Sequence, residues 1–230
     1  MKTIGLVGGM SWESTLEYYR IINQRIKEKM GGFHSAKIVL YSVDFEEVES
    51  RQHLEQWERL TEMMIDAAQR VERAGADFLV ICTNTMHMMA GEVQKSISIP
   101  LLDIVDITAK AVKSRSLGKV GLLGTRFTME KDFYKERLRS DHGLKVIIPE
   151  EKERELIHDI LYNELCLGHI RETSKTKFQK IITDLEERGA QGIILGCTEI
   201  PLIVRQEDYE IPLFDTTTLH AEAAVDYALA

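Results

Sequence analysis

Two short polar segments in this 230-residue chain each follow an apolar run and carry side chains that could move protons. One is Cys82-Thr83-Asn84-Thr85, and the other is Gly196-Cys197-Thr198-Glu199. A thiol with an unperturbed pKa of about 8.5 can take or give a proton near neutrality, and a helix start or nearby donors lower that pKa further. Cys197 is expected at such a helix start, because Thr198, Glu199 and Ile200 follow its strand directly. An aliphatic hydroxyl such as that of Thr83 does not ionise usefully, so it can only relay a proton or position a ligand. Asn84, Thr85 and Thr198 supply donors suited to a carboxylate or to developing enolate charge, although the same residue types also cap helices. Glu199 reads as a capping or orienting group. His87 either orients the first segment or satisfies a helix.

The elements that must hold these residues follow from the apolar pattern. Thr3–Val7, Lys37–Val43 and Asp77–Cys82 read as buried strands. A helix is expected from Ser11, its N-cap, with an apolar stripe of Leu16, Tyr19, Ile22 and Ile26, and another over Glu55–Ala74 ending at Gly75. Strands alternating with helices imply parallel sheets covered on both faces. Gly8-Gly9-Met10 forms a tight turn whose N–H groups could favour an anion.

The chain also repeats itself. Ile4-Gly5-Leu6-Val7-Gly8 resembles Val120-Gly121-Leu122-Leu123-Gly124 at an offset of 116. Phe78–Ile81 after Gly75-Ala76 resembles Gly192–Leu195 after Gly189-Ala190, and Ile99-Pro100-Leu101-Leu102-Asp103 resembles Ile211-Pro212-Leu213-Phe214-Asp215. Three landmarks in order predict two pseudo-symmetric α/β/α domains with mostly parallel sheets: residues 1–112 with a returning helix in 216–230, and residues 113–215. Adding 114 to Thr83 gives Cys197, so both sit at the carboxyl end of equivalent strands, where open parallel sheets bind ligands. Halves facing across a cleft would bring Thr83 and Cys197 to opposite sides of one carbon. Strand alternation turns Cys82 the other way, as a buried core residue.

Composition narrows the partners. With 44% hydrophobic and 29% charged residues the chain is an ordinary globular protein. A net charge of −8 argues against nucleic acid or a membrane surface as a general partner. No apolar run approaches the ~20 residues of a bilayer span. Three cysteines without metal-ligand spacing fit reduced thiols in a cytoplasm, and no metal site is expected.

Cys82-Thr83-Asn84-Thr85 and Gly196-Cys197-Thr198-Glu199 together resemble the paired signatures of the Asp/Glu/hydantoin racemase superfamily. Gly8-Gly9-Met10-Ser11, Gly124–Met129 and His220-Ala221 resemble its aspartate racemase branch, most closely the enterobacterial L-aspartate/glutamate-specific members. The resemblance implies a cofactor-independent racemase acting on an acidic amino acid, without pyridoxal phosphate or metal, and a homodimer. It implies Cys197 as the thiol acting on the L enantiomer and Thr83 at the position usually held by a second cysteine. It also implies Met10, Gln52, Thr125 and Thr128 against the substrate, beside Asn84, Thr85 and Thr198. Arg126 is a candidate for the distal carboxylate, and Cys166 stands where some aspartate racemases have a lysine. His220 reads as structural. With one thiol in the paired positions, a single-cysteine decarboxylase of the same superfamily or a non-catalytic amino-acid sensor are the rival readings.

Overall fold

The computed structural model describes residues 1–230, which divide into two compact units. The first comprises Met1–Asp103 and His220–Ala230, and the second Ile104–Leu219.

In chain order the first unit holds β1 (Ile4–Gly8), α1 (Trp12–Met30), β2 (Ile38–Ser42), α2 (Phe45–His53), α3 (Trp57–Arg73), β3 (Phe78–Ile81), α4 (Ala90–Ser96) and β4 (Leu101–Leu102). Its sheet is wholly parallel, in the order β2-β1-β3-β4. The second unit holds α5 (Ile104–Ser114), β5 (Lys119–Gly124), α6 (Arg126–Glu130), α7 (Asp132–Ser140), β6 (Lys145–Ile147), α8 (Glu151–Asn163), α9 (Glu172–Glu187), β7 (Ile193–Gly196) and β8 (Leu213–Asp215). Its sheet, β6-β5-β7-β8, is also parallel and repeats the first order position for position. The last helix, α10 (Thr216–Leu229), starts in the second unit and returns to the first.

Alternating side chains on each strand feed two cores per unit. In the first unit Ile4, Leu6, Phe78, Val80 and Cys82 face α1 and the small residues of α10, while Val7, Leu79 and Ile81 face α3 and α4. In the second, Val120, Leu122, Ile194 and Phe214 face α5 and α7, and Leu123, Ile193 and Leu195 face α8 and α9. Each fully buried aliphatic side chain contributes roughly 1.5–3 kcal/mol, so helices on both faces are what hold such strands in place. Ile104, Val105, Ala109 and Val112 lie in the core with Val120 and Phe214, which puts α5 in the second unit.

Helix α1 starts where expected, with the Ser11 hydroxyl accepting from Ser14 N–H at 3.4 Å. Its buried face is Thr15, Tyr18, Ile21, Ile22 and Ile26. Leu16 and Tyr19, expected in that stripe, are 54% and 51% exposed. The helix expected over Glu55–Ala74 is α3, which begins at Trp57, after Glu55 takes a positive φ of 53°; a separate helix, α2, precedes it. No helix is long and apolar enough to cross a membrane.

Candidate active site

Thr83 and Cys197 both stand just past a central strand, at the carboxyl edge of their own sheets. In the first unit Val7 pairs with Ile81, which brings Gly9 level with Thr83. In the second Gly124 pairs with Gly196, which brings Thr125 level with Cys197. The strand end at Gly124 and the turn at Gly9 both need small residues. A Cβ on Gly124 would stand 2.7 Å from the Gly196 carbonyl oxygen, and one on Gly9 would stand 2.3 Å from the Val43 carbonyl oxygen. Gly9 also has φ 92°, a region that disfavours side chains. Its N–H donates to Thr15 Oγ1 at 2.8 Å, so that part of the turn is committed to α1 and not to an anion.

In the first half of the site, Thr83 is 8% exposed and Asn84 and Thr85 are buried. They lead into a 3-10 turn, Thr85–Met89. The His87 ring donates from Nδ1–H to the Thr83 carbonyl at 2.7 Å and lies 5.6 Å from the His220 ring. His220 donates from Nε2–H to the Leu102 carbonyl, leaving Nδ1 to accept from the Tyr18 hydroxyl, both at 2.9 Å. Burial, then the neighbouring His87, pushes the His220 pKa down to about 3, so this ring is neutral. Gln52 is buried on the last turn of α2, with its amide 3.3 Å from the sulfur of Met86. Met10 packs in the same core cluster as Met86. The structure therefore gathers Met10, Gln52 and the Thr83–Met86 segment at the carboxyl side of one sheet.

Cys82 lies elsewhere. It is fully buried among Leu6, Phe78 and Val80, and burial alone pushes its thiol pKa far up. That is an inert core residue.

In the second half, the Cys197 thiol donates to Glu199 Oε2 at 3.0 Å, and the Thr198 hydroxyl donates to the same oxygen at 2.9 Å. All three residues are buried. The chain then makes only a 3-10 turn, Ile200–Leu202, instead of the expected full helix. With no long helix dipole, the thiol pKa goes up: burial raises it most, followed by the charges of Glu199 and Cys166. Cys197 is thus a protonated thiol at rest, held against a carboxylate. Thr125 caps α6, accepting from Thr128 N–H at 3.2 Å, and the two hydroxyls are 3.2 Å apart. Arg126 is exposed, and its N–H donates to His158 Nδ1 at 3.3 Å. No group of three or more His, Cys, Asp or Glu side chains is placed to hold a metal ion.

Glu199 is the residue that sequence reasoning undervalued. Its signal was spacing, since a carboxylate two residues beyond a cysteine in a tight turn can reach back to the sulfur.

Two repeated parallel sheets, each with a short polar turn at its carboxyl edge and one turn bearing a thiol–carboxylate pair, define a two-unit α/β enzyme class. Comparison with known proteins gives the family. Residues 7–224 match the profile of the Asp/Glu/hydantoin racemase family, and the chain belongs to it. It is a racemase-type isomerase. The solved structure of a protein from Yersinia pestis, provisionally assigned as an Asp/Glu racemase, is 51% identical with a TM-score of 0.93 and full coverage of both chains. An aspartate racemase homologue from Pyrococcus horikoshii is 35% identical with a TM-score of 0.86, again over both full lengths. The broad specificity amino-acid racemase RacX of Bacillus subtilis is 25% identical over 173 residues, 75% of this chain and 74% of that protein.

Proposed function

We propose that this chain interconverts the enantiomers of aspartate or glutamate by α-proton transfer through its own side chains, with no pyridoxal phosphate. The observation that carries the reading is the buried Cys197–Glu199 pair, at the strand end that the internal repeat makes equivalent to Thr83. Transfer of the thiol proton to Glu199 leaves a thiolate, which takes the α-proton of the L enantiomer and returns to S–H. The electron pair left on Cα delocalises into the α-carboxylate, where donors from Asn84, Thr85 and Thr198 oppose the developing charge. A proton delivered on the other face, by a group or water positioned at Thr83, completes inversion. Glu199 then returns its proton to solvent, which balances the step. A thiol raised by burial is a weak acid at rest and a stronger base once ionised, which suits a carbon acid this weak.

Met10, Gln52, Thr125 and Thr128 complete the substrate contacts in this reading. Thr83 cannot mirror a thiol, so the enzyme favours L substrates, and α-proton exchange outruns net inversion. The test is chiral analysis beside α-deuterium incorporation from D2O. Since kcat/KM for inversion is the same from either enantiomer at an equilibrium constant of 1, the reading is contradicted by deuterium incorporation that is no faster from the L than from the D enantiomer, or no faster than inversion. A protonated Cys197 also suits a single-thiol decarboxylase, which needs one proton donor for an enolate. Release of CO2 from an arylmalonate without α-proton exchange of aspartate would favour that reading.

The same reading makes the protein a cytoplasmic homodimer. Trp12, Leu16 and Tyr19 are 64%, 54% and 51% exposed along one flank of α1. Asn23 continues that flank and accepts from Ala36 N–H just before the edge strand β2, which exposes Leu40. This apolar strip exposes on the order of 400 Å², about half of the ~800 Å² per partner in a standard interface. A second copy about a two-fold axis meets the same strip with itself.

A further inference from the structure

His87 meets the first polar turn twice. Its backbone N–H donates to the Asn84 carbonyl at 3.1 Å, and its ring Nδ1–H donates to the Thr83 carbonyl at 2.7 Å. The Thr83 N–H is bound as well, to the Ile81 carbonyl at 2.9 Å. Strand β3 stops at Ile81 and the 3-10 turn starts at Thr85, so Thr83 belongs to neither element. Its carbonyl is held there by a side chain, the His87 ring.

A second ring fixes the first. His220 stands edge-on to His87, with centroids 5.6 Å apart and the planes at 64°. Both nitrogens of His220 are bound, Nε2–H to the Leu102 carbonyl and Nδ1 to the Tyr18 hydroxyl, each at 2.9 Å. Leu102 lies in β4, which pairs with β3 through Val80. Tyr18 stands edge-on to His220 in turn, with centroids 5.7 Å apart. All three rings are buried, and the chain from Tyr18 through His220 and His87 to the Thr83 carbonyl lies wholly within the first unit. A phenyl ring in place of His87 would fill the space and keep the ring contact; only a donor at the Nδ1 position also holds the carbonyl.

We propose that His87 is a positioning residue for the proton transfer on the Thr83 face, its ring clamping the Thr83 carbonyl and so setting where the Thr83 hydroxyl stands. This rests on the racemase reading and deepens it, because the two proton transfers are then held by separate side chains. Cys197 has its own partner in Glu199. Its thiolate can take the α-proton of the L enantiomer, exchange as a thiol with D2O, and return deuterium to the same face. That exchange needs no step at Thr83, whereas inversion does.

The test compares His87→Leu, His87→Gln and His87→Asn in the full chain. The amide nitrogen of asparagine can take the place of Nδ1, whereas that of glutamine lies one bond further out. Two rates are read at saturating L-aspartate in D2O, α-deuterium incorporation and net inversion. Saturation matters because Asn84 and Thr85 share the turn, and a rise in KM would touch both processes. A misplaced reacting group costs about tenfold or more, so the ratio of exchange to inversion should rise at least about tenfold in His87→Leu and His87→Gln, with exchange itself within about threefold of wild type. His87→Asn should keep the wild-type ratio. Glutamine leaves the position polar and carries the test should the leucine variant fail to fold. An unchanged ratio overturns the assignment, as does an equal fall in both rates, which is what a merely structural role predicts. Failure of His87→Asn to restore the ratio overturns it too, as does a wild type that exchanges without inverting. Absence of exchange in the wild type brings down the racemase reading itself, a different result from any of these.

Discussion

Replacing Glu199 by glutamine separates two roles that the carboxylate plays toward Cys197. The amide keeps the size of the side chain and can still meet the Thr198 hydroxyl, which lies 2.9 Å from Oε2. The charge disappears, and with it two of the influences that hold the thiol pKa up: the electrostatic push of Glu199 and its hydrogen bond to the sulfur. Burial, the largest cause, remains. The thiol of the variant therefore ionises at lower pH than that of the parent, yet still above the ordinary range. Exchange moves the opposite way, because no group is left to accept the thiol proton. Loss of a positioned acid–base partner costs about 10²–10⁴-fold in rate. The hydrogen bond itself contributes on the order of 1.5–3 kcal/mol when its acceptor is charged. The assay pairs α-deuterium incorporation into L-aspartate with a thiolate titration by ultraviolet absorbance. The expected result is a more acidic thiol in a slower enzyme. A more acidic thiol with exchange held within about tenfold of wild type would refute the role of Glu199 as proton acceptor.

Other perturbations follow from the same geometry. His220, neutral in the fold with a pKa near 3 against 6.5 when unfolded, contributes stability that is present above pH 6.5 and lost as pH falls toward 3. At about 1.36 kcal/mol per unit this reaches roughly 4–5 kcal/mol, and His220→Gln should flatten the acid limb of melting temperature against pH. Gly124→Ala forces a Cβ to within 2.7 Å of the Gly196 carbonyl oxygen and should cost about 2 kcal/mol by denaturant titration, with slower exchange because β7 carries Cys197. Wild-type stability would show that the strands can part without penalty. If the chain is the proposed homodimer, Leu16→Asp with Tyr19→Lys should leave a monomer in light scattering; a dimer mass in both parent and variant would move the interface off α1.

Much of the fold was legible because each strand is a short apolar run and three landmarks recur in order. That pattern yielded parallel sheets with equivalent strands, and the common order β2-β1-β3-β4 and β6-β5-β7-β8 repeats it. Strand alternation likewise placed Cys82 in the core. The rest depended on tertiary contacts that periodicity does not encode. Leu16 and Tyr19 have helical spacing but sit on an exposed flank, and the buried face uses Thr15 and Tyr18 in their stead, a choice between adjacent residues that only the packing settles. The thiol pKa was expected to fall at a helix start. Burial of the thiol, and after it the charge of the reaching Glu199, reversed the sign, with only a 3-10 turn to oppose them.

The central claim is α-proton transfer at Cys197, and NMR of L-aspartate in D2O without added cofactor reads it directly. Wild type and Cys82→Ala should both place deuterium at Cα, since Cys82 is buried in the core, while Cys197→Ser should place none with its fold intact. Deuterium at Cα from the Cys197→Ser variant at the wild-type rate would contradict the account.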